Sequence, residues 1–402
     1  MKSWKANYAA ILAAQTLAMI GFGLSFPVIP LFIEEEIGIK DPVKLKAWVG
    51  VIQSCASVTM AIFAPIWGHL ADVFSRRTML LRAMFGGAAI ISLMAFVNSP
   101  WQLLVLRTIQ GCLTGTIAAS TVLTAGIVPA AEVALALGLL QTAVAVGNSL
   151  GPLVGGVLSD FLGYRPAFLS TGILLFLAGL IVLKWVDSDR QAKSAEKKKL
   201  TLVPDFRPII ANPLIVTVLI TGFAVQAANG AAQPMLPLFL KSLALRVTEE
   251  PMYIASSTGL IMGVGAASSA IAAVLVGKYA LRFGYWRALF FCLTACAIAN
   301  IPQAMVTTMY QLMILRAISS FFIGGSIPVV NAIIAISAEK KTQGATFGLN
   351  SSVSAMGMAL GPMIGSAAAM LSYRAVFIVC AIILGLSAWQ VSIRSKSRSP
   401  NQ

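Results

Sequence analysis

Charge is scarce in this chain. Only 11% of its 402 residues are Asp, Glu, Lys or Arg, against about 25% in an ordinary soluble domain, while 58% are apolar. A globular fold of this size cannot hide that much apolar surface from water, so its solvent must be lipid. Histidine is limited to His69, in a polar segment between apolar runs. The five cysteines, Cys55, Cys112, Cys292, Cys296 and Cys380, all fall within apolar runs. Cys292 and Cys296 share a helix face, but two thiolates alone make no metal site, and no disulfide framework is implied. None of the 14 acidic residues lies in the middle of an apolar run. Without clustered acid, base and nucleophile groups, a membrane enzyme is excluded. No polar stretch is long enough for a soluble receptor or scaffold domain.

Apolar runs of about 20 residues can cross a bilayer as helices. Twelve are present, at 8–33, 47–70, 78–97, 101–127, 133–159, 166–186, 210–240, 252–276, 286–306, 310–337, 343–370 and 374–393. The expectation is an all-α integral membrane protein with twelve transmembrane helices. The first run lacks a small-residue cleavage site and outlasts a signal peptide's apolar region, so it is read as retained. An even number of spans puts both ends on one side. That side collects most of the Lys and Arg, leaving only Lys40, Lys44, Lys46, Arg165, Lys241, Arg246 and Arg374 on the other. Excess positive charge marks the cytoplasmic face. The reading is a multi-pass protein of a bacterial cytoplasmic (inner) membrane with both termini cytoplasmic. The net charge of +15 then serves topology and contact with anionic lipids, not nucleic acid.

The chain also repeats itself at half length. GNSLGPLVGG at 147–156 returns as GMALGPMIGS at 357–366, and WQLLVLR at 101–107 as YQLMILR at 310–316. GYRPAF at 163–168 returns as SYRAVF at 372–377, and PVIP at 27–30 as PMLP at 234–237. Such a repeat is how many secondary transporters are built, with the substrate site between the halves. The expected division is an N-terminal six-helix bundle over 1–187, a flexible cytoplasmic linker over 188–208, and a C-terminal six-helix bundle with a short basic tail over 209–402.

Three motifs carry mechanism. GHLADVFSRRTMLL, from Gly68 to Leu81, joins the second and third spans and sets Asp72 before the Arg76–Arg77 pair. It resembles the signature loop of the major facilitator superfamily, although Val73 and Ser75 replace the usual basic residue and glycine. The resemblance implies a conformational latch formed by Gly68, Asp72, Arg76 and Arg77. In the second half, GKYALRFGYWR has Leu281 in place of the acid. In the fourth span Leu103, Arg107, Gln110 and Gly111 match the superfamily's LxxxRxxQG element, which implies a role in proton coupling for Arg107. Arg107, Gln110, Thr114, Ala118 and Thr121 recur every three or four residues, predicting one polar and small helix face. The fifth span carries GxxxGPxxGG, filled by Gly147, Gly151, Pro152, Gly155 and Gly156. Glycines one turn apart expose a groove for a neighbouring helix, and ordinary packing explains GxxxG alone. The full pattern resembles the element of drug:proton antiporters. Nearly the whole chain is therefore similar to the twelve-span drug:proton antiporter family of the superfamily, its multidrug and tetracycline efflux branch.

That resemblance implies a central cavity lined by spans one, four, seven and ten. Its expected residues are Gln15, Phe22, Ser25, Phe26, Gln110, Thr114, Gln226, Asn229, Gln233, Ser320 and Asn331, with Phe239, Phe321, Phe322 and Ser319 nearby. An amide-and-aromatic lining suits uncharged, amphipathic or anionic solutes better than strong cations. Glu34, Asp72, Glu132 and Asp160 are the candidate proton carriers, all near span ends. The expected function is export of a small amphipathic compound by alternating access, driven by the proton gradient without a cofactor or metal. Its partners would be that substrate, protons and membrane lipids, with the chain monomeric. The rival reading is movement of a metabolite, sugar or siderophore, by export or uptake, coupled or uncoupled.

Overall fold

A computed structural model describes residues 3–73, 75–129, 131–187, 207–245, 253–338 and 343–396. Among these residues every regular element is helical. The first half holds α1 (Trp4–Ser25), α2 (Ile29–Glu35), α3 (Pro42–Val73), α4 (Arg76–Met94), α5 (Pro100–Leu113), α6 (Thr116–Ile127), α7 (Val133–Leu162) and α8 (Tyr164–Trp185). The second holds α9 (Arg207–Ala211), α10 (Pro213–Ala232), α11 (Leu236–Ala244), α12 (Ile254–Phe283), α13 (Tyr285–Gln303), α14 (Met309–Ser337), α15 (Gln343–Leu371) and α16 (Tyr373–Lys396). Among the described residues twelve helical spans are long and apolar enough to cross a membrane. Within lipid a helix satisfies its backbone internally, which is why this architecture follows from the composition.

Three spans are interrupted. The repeated PVIP and PMLP segments sit at the breaks of the first span of each half. Pro27 lies in the turn between α1 and α2, and Pro30 opens α2. Pro234 lies in a 3-10 turn (Gln233–Met235), and Pro237 opens α11. Each proline removes a backbone donor and clashes with the carbonyl four residues back. The fourth span breaks between α5 and α6 at Thr114 and Gly115, where Gly115 takes φ +130°. This conformation is open to glycine and strained for other residues. The freed Cys112 carbonyl accepts a hydrogen bond from Trp67 Nε1 at 2.6 Å.

The break corrects an expectation from the sequence. A single face through Arg107, Gln110, Thr114, Ala118 and Thr121 requires an unbroken helix, and the turn at Gly115 interrupts that spacing. The segment from Gly68 to Leu81 is likewise not a loop. The backbone of α3 runs through Gly68 and His69 to Val73, and α4 begins at Arg76. The two helices are separated at Ser75, whose backbone is extended with φ 165° and ψ 137°. Most of the expected linker, residues 188–206, lies outside the described residues, as does the end of the tail.

Contacts divide the chain into two compact units. The first comprises Met1–Trp48, Cys55–Leu200 and Glu250–Gly263, the second Val49–Ser54, Thr201–Glu249 and Val264–Gln402. Val49–Ser54, from α3, is grouped with the second unit, and Glu250–Gly263, which includes the start of α12, with the first.

In the first unit, α1 and α7 pack in a fixed register. Tyr8 Oη donates to the Ala136 carbonyl at 2.8 Å, 128 residues away. The same offset relates Met19 to Gly147 and Gly23 to Gly151, which abut directly. One end of this unit is clamped by Arg165 at the start of α8. Its Nε donates to Glu36 at 2.9 Å, Nη1 to the Ala95 carbonyl at 2.8 Å, and Nη2 to Asn98 Oδ1 at 2.9 Å. Phe32 and Phe168, both fully buried, meet edge to face beside it with ring centroids 5.0 Å apart. In the second unit, α14 opens with a capping box in which Thr308 accepts from the Gln311 backbone at 3.3 Å.

Charge-assisted hydrogen bonds contribute about 1.5–3 kcal/mol when buried and less when half-exposed. Removing all three donors through Arg165→Ala is expected to destabilise the protein by about 2 kcal/mol. A lower midpoint of thermal unfolding in detergent is the readout; an unchanged midpoint would show that the clamp is dispensable.

Candidate functional site

The expected cavity residues fall into two sets, one in each unit. In the first unit, Phe22 Cζ, Thr114 Cγ2 and Leu175 Cδ1 converge on Gly87 of α4, all within 3.8 Å of where a Cβ would stand. Two residues chosen from sequence, Phe22 and Thr114, are thus brought together by a missing side chain. Both are half-buried, as is Phe26, while Ser25 is buried and donates back to the Phe22 carbonyl. Gln15 is different. It is fully enclosed, with both amide atoms buried and without a hydrogen-bond partner. It therefore presents no open surface in this structure, contrary to its assignment as lining.

Arg107 is 8% exposed and donates from Nη1 to Gln110 Oε1 at 2.8 Å. Three residues separate them on α5, so one helix turn supplies the pairing. A guanidinium six residues past Trp101 had the option of reaching the headgroups, but here it is turned inward. Gly111, next on this helix, faces Thr59 and the Ala56 carbonyl of α3 so closely that a side chain has no room. A neutral amide thus accepts the charge of Arg107.

In the second unit Gln226 and Asn229 lie in the last turns of α10 and Gln233 opens the 3-10 turn after it, all half-buried. The Gln226 Cβ lies 3.2 Å from where a Gly357 side chain would begin, so its stem packs on α15. Ser320 is half-buried, its Oγ 2.9 Å from where a Gly265 Cβ would stand, whereas Asn331 is exposed. Ser319 is buried and donates to the Arg316 carbonyl at 3.1 Å. Phe239 is buried against Tyr373 and Phe377, which makes it part of the core and not a contact surface. Phe321 and Phe322 stack edge to face, and Phe322 meets Phe291 in the same way.

Sequence reasoning missed one polar group in this unit. Asn350 of α15 is 9% exposed, and its Oδ1 is buried without a partner, facing Gly222 beside Ser354. A buried amide oxygen left unbonded costs about 1–3 kcal/mol. The signal was Asn350 itself, a polar residue inside an apolar run.

Of the expected latch, Gly68 and Asp72 carry side positions outside the described residues. Arg76 Nη1 donates to the Val122 carbonyl at 3.5 Å, and Arg77 Nη2 donates to the Leu183 carbonyl. Leu183 lies in the last turn of α8, where carbonyls lack intrahelical donors and attract cations. Arg82 stacks 3.5 Å from the Trp67 ring centroid.

The glycine motif is resolved residue by residue. Gly147, Gly151 and Gly155 form one stripe against Met19, Gly23 and Leu24 of α1, with a Gly151 Cβ reaching 2.6 Å from Gly23 Cα. Pro152 and Gly156 form a second stripe against α12, where Gly156 faces the Ala255 carbonyl and Gly259 faces the Pro152 carbonyl. In the second unit, Gly357, Gly361 and Gly365 lie against Phe223, Ala227 and Ala231 of α10 in constant register. There Ser366 Cβ sits 2.5 Å from where a Gly50 side chain would start.

Backbone facing backbone cannot yield as a flexible side chain does. Gly151→Val is expected to cost about 3 kcal/mol or more, beyond the usual range for overpacking. Gly138→Val, in open surroundings, costs far less because nothing lies within 4 Å of its Cβ position. The yield of monodisperse protein in detergent separates the two; equal yields would refute the packing role.

The family model described as Major Facilitator Superfamily matches residues 11–302 and also 256–401. The Multidrug resistance protein MdtG of Proteus mirabilis (strain HI4320) is 32% identical over 400 residues, 98% of each chain. MdtG of Enterobacter lignolyticus (strain SCF1) is 33% identical over 388 residues, 96% of this chain and 91% of the relative. Among solved structures, an inward-facing, unoccupied bacterial homologue of the human lysosomal transporter Spinster matches with TM-score 0.80 at 16% identity, covering 100% of both chains. The nucleoside transporter NupG matches with TM-score 0.81 at 14% identity, over 97% of this chain and 99% of its own. At these identities the solved structures speak for the fold alone.

Proposed function

Because the chain belongs to the major facilitator superfamily, we propose that it is a drug:proton antiporter of the multidrug-efflux type. It exports small amphipathic compounds from a bacterial cytoplasm by alternating access, drawing on the inward proton gradient and needing no cofactor. It spans the inner membrane twelve times, with both termini cytoplasmic, and acts as a monomer. The observation that carries this reading is the near full-length likeness to proteins named for multidrug resistance. The tight seating of the antiporter-type glycine stripe on α1 supports it. Transport of a metabolite, sugar or siderophore is not favoured, since these relatives are named for drug resistance.

In this reading the half-buried faces of α1, α5, α10 and α14 contact the substrate. Their groups are amides, hydroxyls and aromatic rings, including Phe22, Phe26, Thr114, Gln226, Asn229, Gln233 and Ser320. They offer shape and hydrogen bonds without fixed negative charge, which admits many amphipathic solutes and selects weakly among them. Arg107 supplies the positive charge against which proton binding is biased. In this reading Asp72, Arg76 and Arg77 form the conformational latch, with Arg77 bonded to the last turn of α8.

Reconstituted transport of a compound panel, with and without an imposed pH gradient, is the direct test. Uptake into inverted vesicles that ignores the gradient would sink the antiport reading. Arg107→Ala is expected to lower substrate-driven proton movement about tenfold or more, at unchanged insertion. Unchanged flux would remove Arg107 from the relay. Asp72→Asn is expected to slow turnover while leaving the amount of inserted protein unaltered; undiminished turnover would count against the latch.

A further inference from the structure

The start of α12 is capped by a residue from another helix. An α-helix leaves its first backbone N–H groups without intrahelical partners, and an N-cap side chain normally accepts from the second and third helical residues. Tyr253, which precedes Ile254, carries no oxygen that can reach back to them. Asp160, near the end of α7, takes that place: Oδ2 accepts from the Ser256 backbone at 2.7 Å, and Oδ1 from the Ala255 backbone at 3.2 Å. The carboxylate also meets the positive end of the α12 dipole. By contrast, α3 is capped locally, with Asp41 Oδ1 accepting from Val43 at 2.8 Å and Lys44 at 3.1 Å.

Below this cap, the seam between α7 and the first ten residues of α12 is made of small residues. Gly156, Pro152, Gly259 and Gly263 bring the two backbones together, with the Leu153 side chain lying over Gly263 and the Phe161 and Tyr253 rings 5.9 Å apart beside the cap. Ser149 Oγ donates to the Gly263 carbonyl at 2.8 Å and ends the seam. Glycine surfaces separate with few rotamers to reorganise, and the polar groups at the two ends add a direction-dependent hold. The division of the chain falls at the same place. Residues through Gly263 belong to the first compact unit, and from Val264 onward α12 belongs to the second.

The second half lacks this device. By the repeat offset of the glycine motifs, the position equivalent to Asp160 is Met370. The matching position therefore carries no charge.

We propose that Asp160 is a positioning residue for transport, a clasp that holds Ile254–Gly263 of α12 on α7 and is broken and remade in each cycle. The proposal rests on the alternating-access reading, but its readout needs neither substrate nor proton gradient. The residue acts through α12 and does not touch the transported compound.

The test uses the full chain in detergent carrying Ser256→Cys, with its alkylation rate by a maleimide compared with that of the unmutated chain. The Ser256 side chain is half-buried and takes no part in the cap, which uses its backbone. Adding Asp160→Ala is expected to raise the alkylation rate about tenfold, the effect of losing one charge-assisted pairing. Asp160→Asn keeps the shape and one acceptor and should give an intermediate rate; it carries the test if Asp160→Ala does not fold. In proteoliposomes, Asp160→Asn should lower turnover with the half-saturating substrate concentration unchanged. Unaltered alkylation in either folded variant overturns the clasp. A lower thermal midpoint with unaltered alkylation marks Asp160 as structural only and overturns it equally. Faster alkylation in a chain that transports no compound would keep the clasp and remove the efflux reading.

Discussion

The molecule depends on how closely helix backbones approach one another in a solvent that offers them no hydrogen bonds. Between helices in lipid there is little hydrophobic gain, so close packing and polar contacts carry the association. The glycine stripe of α7 meets this requirement against α1, where Gly151 and Gly23 leave room for nothing else. The stripe of α15 repeats it against α10, with Gly361 beside Gly230. A second row on α7 runs at right angles to the first around the helix and serves α12. The halves solve this second contact in complementary ways. In the first, Gly156 on the motif helix yields to the Ala255 carbonyl; in the second, the motif helix carries Ser366 and the partner helix yields through Gly50. This explains why the last position of the motif tolerates serine in one copy and not in the other.

Much of this was legible from sequence because lipid imposes strict rules. Twelve apolar runs gave twelve spans, and the repeated motifs fell at matching places. The prolines of PVIP and PMLP were visible as a repeat, and the structure shows what they repeat: an interruption of the first span in each half. The break at Gly115 was hidden, because one glycine in an apolar run reads equally as packing or as a turn. Only its φ of +130° distinguishes the two. Gly259 and Gly263 were hidden for another reason. Their partners on α7 are not their counterparts in the repeat, so internal comparison could not pair them. Gln15 was misplaced because a polar residue in a span announces an environment other than lipid but does not say whether that environment is a wet surface or a closed interior.

The enclosed amides form a common pattern. Gln15 in one unit and Asn350 in the other each bury atoms without hydrogen-bond partners. Such groups cost free energy where they stand and gain it when a helix shift or an internal water supplies a partner.

Charge is handled by the same economy. Several charged side chains outside the span centres are spent on main-chain atoms: Arg77 on the last turn of α8, Arg165 on the Ala95 carbonyl, Asp41 on the start of α3, and Asp160 on the start of α12. A charge paired with a helix end responds whenever that helix moves, because the end carries its partial charge with it. A charge paired with another side chain can follow its partner by changing rotamer. Tying ions to backbone termini thus converts a displacement of helices into a change in electrostatic energy. In a chain whose carboxylates all lie outside the span centres, helix ends are where charge and helix displacement meet.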